Sequence, residues 1–574
     1  MAKWYVTLKS SDFRAVAGKY HIDPVIARII RNRDLTEDKE IEQYLHGSVS
    51  ELSAPEQLKD LNKAVAIIEG KIKEKKSIRI IGDYDVDGIC ATCILYRSLK
   101  ECGALVDTKI PHRIKDGYGL NESMIDDAID EEIDTILTCD NGIAAKDAID
   151  RAKEHGLGCV ITDHHEIPFT ETENGKEYLL PDADAIVDPR QEDCHYPFPD
   201  ICGAFVAYQF AKKLMETMLP EGSFTALLEE MRELAGVATV CDVMPLRGEN
   251  RILVKETLES LKHAKNIGLR ALMKVNEIST GKVSSYVIGF VLGPCINATG
   301  RLDTAKIALE LLEAGSMEEA VPIAARLKEL NEIRQDMTKK GVEEALAEAE
   351  KEEYRSQKVL VLYLPDVHES LAGIIAGKVR EKTGKPTFVL TDGQDCVKGS
   401  ARSIEEYSMY DEMVKCRELF LKFGGHRMAA GLSLKKENVD AFREQINQNC
   451  RLTEEDLEEK IKIDLVMPMA YVTKEFIHQL EVLEPFGTGN AKPVFAQKNV
   501  KLSGVHNLGK HEDMVGMTGE DENHNHFNLV MFRNGKEFLR ENPEVIDIIY
   551  EPSLNEFRGR ESIQFIVQDY KKVK

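Results

Sequence analysis

The stretch Ile78-Arg79-Ile80-Ile81-Gly82-Asp83-Tyr84-Asp85-Val86-Asp87-Gly88-Ile89-Cys90-Ala91-Thr92-Cys93 limits the folds open to this chain more than any other. Its β-branched run has the pattern of a strand buried on both faces of a parallel sheet, and it stops at Gly82. Asp83, Asp85 and Asp87 then alternate with Tyr84 and Val86, and Gly88 opens an apolar helical run. A strand–loop–helix unit puts its loop at the carboxyl edge of the sheet, where open α/β folds place ligands. Carboxylates this close repel one another. A divalent cation removes the repulsion, and hard oxygen ligands suit Mg²⁺ or Mn²⁺. The plain alternative is an acidic turn that caps a helix.

The same pattern recurs downstream. Thr135-Ile136-Leu137-Thr138 reads as a strand closed by Cys139-Asp140, and Cys159-Val160-Ile161-Thr162 as one closed by Asp163-His164-His165. Ala185-Ile186-Val187 runs into Asp188-Pro189. Strands alternating with helices imply right-handed crossovers and a parallel sheet, so these strand ends lie along one edge. A helical section from Gly203 to about Lys274 carries Asp242 among apolar residues. Pro294 to Asp303 reads as a glycine-punctuated turn bearing Arg301. Thr304 to Glu353 reads as a long connecting helix with a break near Gly315.

At 574 residues the chain exceeds one core. A second α/β unit begins at Val359 and includes His368, the segment Gly399-Ser400-Ala401-Arg402-Ser403 and the segment Gly424-Gly425-His426. After Glu454 five short β segments, 461–466, 494–505, 526–532, 545–550 and 562–567, suggest a small barrel such as an OB-fold. The formal charge of -24 argues against a broad basic face for duplex DNA, although a local basic groove or bound metal reverses the field at one site. The N-terminus lacks the apolar core of a signal peptide, and the longest apolar stretch, Tyr286 to Ala298, is too short to span a bilayer. Twelve scattered cysteines show no secreted framework, so Cys90 and Cys93 read as buried thiols. The expectation is a reduced, cytoplasmic protein with no membrane association.

In chemical terms the strand-end acids suit a two-metal hydrolase site. Asp85 and Asp87 can each face a different ion, and Asp140 is placed to bridge both. His164 adds the nitrogen that moves preference towards Mn²⁺, and Asp242 completes the second ion's shell. Two such ions lower the pKa of a bridging water and stabilise the leaving oxygen of a phosphodiester. His165 is then free to face substrate while Asp163 orients the histidines. In the second unit, Ser400, Arg402, Ser403, Gly424, Gly425 and His426 offer hydroxyls, a guanidinium, close backbone approach and an imidazole, a set that suits phosphate. His368 precedes a helix whose N-terminal end favours an anion. Arg113 and Arg301 are further cations near the metal-site loops.

Asp83-Tyr84-Asp85-Val86-Asp87-Gly88, Asp140, Asp163-His164-His165 and Asp242 resemble the motif series of the DHH phosphoesterases. Gly424-Gly425-His426 through Gly431 resembles the glycine-rich motif of their associated domain. With Ile296 to Arg301, Gly399 to Ser403 and the β-rich C-terminus, the likeness spans nearly the whole chain and is nearest to the single-strand-specific exonuclease branch.

The resemblance implies an α/β protein: a lead-in over 1–60, a parallel-sheet DHH domain over 61–303, a connecting helix over 304–353, a smaller α/β DHH-associated domain over 354–453, and an OB-like barrel over 454–574. It implies 5′→3′ digestion of single-stranded DNA to mononucleotides in repair and recombination, using two Mn²⁺ or Mg²⁺ ions. A helicase and a single-strand-binding protein are candidate partners. By carry-over Asp85, Asp87, Asp140, His164 and Asp242 bind metal, with Asp83 a further ligand. Arg113, Arg301, Ser400 and Arg402 contact the 5′-end phosphate, and His368 and His426 face the scissile region. The chain departs from the family at Ile81, where some relatives have histidine, and at Val367-His368-Glu369, where tryptophan usually leads. Two alternatives stand beside this reading: a phosphodiesterase for short oligonucleotides or cyclic dinucleotides, and a non-catalytic DNA-binding scaffold.

Overall fold

A computed structural model describes every residue except Met1, Tyr118, Glu173, Asn174, Thr280, Lys282, Lys510, His511, Glu512, Arg558 and Lys574. The chain forms two compact units, one of residues 48–245 and 249–458, the other of residues 1–47, 246–248 and 459–574.

The larger unit is built on a five-stranded parallel sheet in the order Leu105–Lys109, Ser77–Ile81, Thr135–Cys139, Gly158–Thr162, Ala185–Val187. Because side chains alternate across a strand, Ile80, Leu137 and Val160 enter one core, with the helices Leu61–Lys73, Val86–Glu101 and Gly203–Met218. Ile81, Ile136 and Ile161 enter the other, with the helices Glu122–Asp130 and Lys146–Glu154. Both faces are therefore covered, which explains why the inner strands are mostly apolar, whereas the edge strand Leu105–Lys109 carries Asp107, which pairs with Arg79 of its neighbour.

The segment expected as a turn around Arg301 is instead a helix, Gly293–Leu302, with Pro294 as its second residue. Its glycines serve close packing: a methyl group on Gly300 would come 2.7 Å from the Tyr84 carbonyl oxygen, and one on Gly293 2.5 Å from Cys241 Sγ. A π-helical segment, Ile288–Leu292, precedes it. The helix Lys306–Glu313 then breaks, and Ser316 caps the 33-residue helix Met317–Ala349. Ala320, Ala324 and Leu327 of that helix lie in the first core, whereas Val342 and Ala345 lie in the core under the second sheet.

The second sheet runs Phe420–Gly425, Ala429–Leu434, Val397–Arg402, Thr387–Asp392, Leu360–Tyr363; the last pair is parallel and the rest antiparallel. The helix Ala372–Thr383 covers it.

In the smaller unit, Phe495–Asn507, Val515–Glu520, His526–Met531, Arg560–Lys572 and Val545–Phe557 pair in sequence, and the last returns to Phe495–Asn507 to close a five-stranded barrel. The strand Val515–Glu520 was not among the expected segments; Gly516 and Gly519 dilute its pattern. Ile26, Ile29 and Leu45 of the N-terminal helices share a core with Phe495, Tyr550 and Phe565 of the barrel, and Lys3–Val6 pairs in parallel with Lys460–Ile463. Among the described residues no helix is long and apolar enough to cross a membrane.

Candidate metal centre

The carboxyl ends of three neighbouring strands gather the acids. Asp83, Asp85 and Asp87 follow Ser77–Ile81, Asp140 follows Thr135–Cys139, and Asp163-His164-His165 follows Gly158–Thr162. Asp242 arrives at the C-terminal end of the helix Thr225–Cys241. Three sets of ligand atoms each lie within 4.8 Å of one another: Asp83, Asp85 and Asp140; Asp87, His164 and Asp242; Asp140, His164 and His165. Asp140 takes a backbone φ of 59°, an uncommon conformation for a non-glycine residue, which turns its side chain out of the strand direction.

Individual roles differ. Asp85 caps the helix after it, accepting the N–H groups of Asp87 and Gly88 at 3.0 and 3.1 Å. Asp87 accepts the N–H groups of Gly203 and Ala204 at 2.7 and 2.8 Å, so both its oxygens also anchor the start of Gly203–Met218. His164 Nε2 lies 3.0 Å from Asp140, 3.5 Å from Asp87 and 3.8 Å from Asp242. Burial lowers the His164 pKa, which favours the neutral imidazole that metals bind. Burial would raise Asp163, yet His165 and His164 bring it down to about 2, and the 2.7 Å contact to His165 Nδ1 makes an ion pair beside the acids.

The donor set fits divalent cations. Both oxygens of Asp83 are buried with no hydrogen bond of normal geometry. Burial first, then Asp85, pushes Asp83 up to about 8. Burial and neighbouring carboxylates also raise Asp85, Asp140 and Asp242. Buried acids that raise one another are the condition a cation relieves.

Beside this cluster the arginines converge. The Arg113 guanidinium lies 4.4 Å from the Tyr84 ring centre. Arg301 Nη1 donates to the Ser370 carbonyl at 2.6 Å, and the Ser370 hydroxyl returns a bond to the Arg301 carbonyl. His368 Nδ1 sits 2.7 Å from the same hydroxyl, so the His368 turn docks directly on Arg301. Burial, then Arg113, Arg334 and Arg402, lowers Arg301 to about 9; burial and Arg113 lower Arg402. Among the described residues none of these four arginines pairs with a carboxylate. Guanidinium groups that crowd one another without a carboxylate suit an anion. Gly373 leaves room for Arg402, since a methyl there would come 3.0 Å from Arg402 Nη2.

Ser400 shares the strand Val397–Arg402 with Arg402. Ser403 is committed to the fold: it is buried, and its hydroxyl donates to the Tyr407 carbonyl at 2.6 Å. Gly425 has φ 146°, and a methyl on it would meet the Ala429 carbonyl at 2.4 Å, so a side chain is excluded there. Gly424 precedes it in the same strand, and His426 follows, its pKa lowered by burial and by Arg402. Sequence reasoning missed Arg334, which stands on the long helix bonded to Asn331 at 3.1 Å, because Arg in a Glu/Lys-rich helix carries no local signal. It also passed over Asp188, whose Oδ2 is buried without a hydrogen bond.

An acidic strand edge of this kind on a parallel sheet, with a second α/β domain, defines an α/β protein of the DHH class, and the model for the DHH family, N-terminal domain, matches residues 77–237. The DHHA1 domain model matches residues 356–452, and that for the RecJ OB domain residues 463–569. The single-stranded-DNA-specific exonuclease RecJ of Bacillus subtilis is 33% identical over 99% of this chain and 70% of its own length. That of Escherichia coli is 30% identical over 96% of each. The chain belongs to the RecJ family. A crystal structure of RecJ with Mn²⁺ from Thermus thermophilus superposes with TM-score 0.83 at 26% identity, covering 100% of this chain and 80% of that one.

Proposed function

We propose that this chain is a metal-dependent exonuclease that hydrolyses single-stranded DNA to mononucleotides in the 5′→3′ direction, serving repair and recombination. The observation that carries this reading is the adjacency of two acid sets, Asp83–Asp85–Asp140 and Asp87–His164–Asp242, to arginines that lack carboxylate partners. The similar single-stranded-DNA-specific exonucleases, and the crystal structures of the Thermus thermophilus relative in complex with Mn²⁺ and Mg²⁺, support it.

Asp83, Asp85, Asp140, His164 and Asp242 would hold two Mn²⁺ or Mg²⁺ ions, with Asp87 joining through Oδ2, the oxygen near His164 that also accepts the Gly203 N–H. Such ions supply Lewis-acid stabilisation of phosphoryl charge and a more acidic water. Arg113, Arg301 and Arg402 bind the 5′-terminal phosphate, and Ser400 adds a hydroxyl donor. Anchoring the end sets which phosphodiester reaches the acids and releases one nucleotide at a time. The Asp163–His165 pair supplies an imidazolium at the edge of the cluster that can hold a proton near the leaving oxygen. His368 positions Arg301 through Ser370. The match to the RecJ OB domain supports a long strand as substrate in preference to a dinucleotide.

The test is purified protein with Mn²⁺ or Mg²⁺ on end-labelled single- and double-stranded DNA, resolved by product length. Mononucleotides released from the 5′ end of the single strand are expected. Preference for a 5′-labelled dinucleotide over a long strand would replace this reading with the short-oligonucleotide phosphodiesterase. No release from any DNA would leave the binding scaffold.

A further inference from the structure

The geometry points to Tyr286 and Phe290 as a stacking platform for the bases of a single strand at the rim of the metal centre, an inference that rests on the nuclease reading above. The two rings stack with centroids 4.8 Å apart and planes 20° apart. They are 65% and 68% exposed, more than the other exposed aromatic residues of the described chain. Two large π-faces held parallel in water are poorly explained by folding, since neither ring contributes its area to a core.

Their setting ties them to the acids. Tyr286 precedes, and Phe290 lies within, the π-helical segment Ile288–Leu292, a rare backbone form found mostly at functional sites. Ile288 and Leu292 are buried and pin the segment from below. The Cys241 thiol donates to the Ile288 carbonyl at 3.8 Å. Small residues make the approach possible: a methyl on Gly289 would lie 3.5 Å from Val240 Cγ1, and one on Gly293 2.5 Å from Cys241 Sγ. The aromatic segment therefore packs on the two residues that immediately precede Asp242. On the other side of Asp242, Val243 is 65% exposed and adopts φ 58°. That conformation is a genuine outlier for a β-branched residue, the kind of strain that clusters at ligand sites.

The occupant that fits is a run of nucleobases. A strand whose phosphate reaches Asp242 must carry its bases past the surface beside it, and base–aromatic stacking is indifferent to sequence because every base has a π-face. Platform and acids together would read a single strand, whose bases are free to splay, in preference to a duplex, whose bases are already stacked.

The test compares the wild type, Y286A/F290A and Y286W/F290W. On a long single strand the alanine variant is expected to raise KM about tenfold, while kcat falls by much less. The tryptophan variant should keep the wild-type KM. On a strand carrying an abasic tract, the wild-type KM should rise to that of the alanine variant. Equal KM for wild type and alanine variant on the normal strand overturns the inference. So does an equal loss on the abasic tract, which would mark the pair as structural or as a protein-docking surface. If the alanine variant does not fold, ultraviolet crosslinking of wild-type protein to a 5-iodouracil strand in Ca²⁺ decides the matter: an adduct on Tyr286 or Phe290 is expected, and its absence refutes the platform. If the wild type cleaves no DNA, the nuclease reading fails, while the crosslink still tests the platform.

Discussion

Asp87 accepts the backbone N–H of Gly203 through Oδ2 at 2.7 Å, and that single contact ties the acidic loop to a helix 116 residues further along the chain. Since Ala204 bonds the other oxygen, the carboxylate is an anchor as much as a ligand. D87N keeps one acceptor and puts an amide donor against a donor. It should lose about 1.5–3 kcal/mol of stability in EDTA, the usual worth of hydrogen bonds to a charged group. Urea unfolding with chelator present measures this; a midpoint equal to wild type would make Asp87 purely a ligand.

Asp140 has the opposite character. Burial and four neighbouring aspartates, Asp87, Asp85, Asp83 and Asp242, raise its pKa well above the usual range, so without metal it destabilises the fold it sits in. D140N is expected to reduce hydrolysis to background and yet to unfold at a higher temperature than wild type in EDTA. Adding Mn²⁺ should stabilise wild type, by about 2.7 kcal/mol at a hundred times Kd, and the variant by far less. Scanning calorimetry with and without Mn²⁺ reads both effects.

The arginines test the proposed 5′ end. R402A removes one charge-assisted contact, and the ratio of rates on 5′-phosphorylated and 5′-hydroxyl strands should fall about tenfold or more. Parallel time courses on the two substrates give the ratio directly, and an unchanged ratio would separate Arg402 from end recognition.

Gly300 lets the helix carrying Arg301 lie on the Tyr84 carbonyl. G300A inserts a methyl where backbone cannot yield, and about 1–3 kcal/mol of stability should be lost through overpacking. The displaced helix should also lower the preference for a phosphorylated end, so urea midpoints and the rate ratio should move together. Loss of stability with an intact ratio would show that Arg301 tolerates the shift.

Glu313 supplies a pH dependence away from the metal centre. Its Oε1 is buried without a partner, and burial, outweighing Arg97, lifts its pKa from 4.5 to about 7. The folded state thus holds this proton more tightly than the unfolded one, and its contribution to stability is lost as pH rises from about 4.5 through about 7. E313Q removes that loss. Its stability relative to wild type should therefore be greater at pH 8 than at pH 5, as urea midpoints at the two pH values will show.

Much of the strand edge was legible because a strand buried on both faces reads as a nearly continuous apolar run, and an acid directly after it is conspicuous. Asp83, Asp140 and His164 were found that way. The helix Gly293–Leu302 was misread as a turn because Gly and Pro are local signals of a break, whereas here they answer to Tyr84 and Cys241, which are distant in sequence. The pairing of Lys3–Val6 with Lys460–Ile463 leaves no local trace, so nothing in the first sixty residues announced that their helices share a core with the barrel. Ser403 looked like a free hydroxyl in a phosphate motif, and only its bond to the Tyr407 carbonyl reveals otherwise.

The helix Met317–Ala349 begins in the core of the first sheet domain and ends in that of the second. Thirty-three residues make a shaft about 50 Å long, anchored at both ends by packed side chains. Pro322 interrupts its hydrogen bonding only near the start, so one helix couples the two cores. Heating or denaturant should then loosen Arg301 and Arg402 in a single step, with one melting transition for both domains that face the acids.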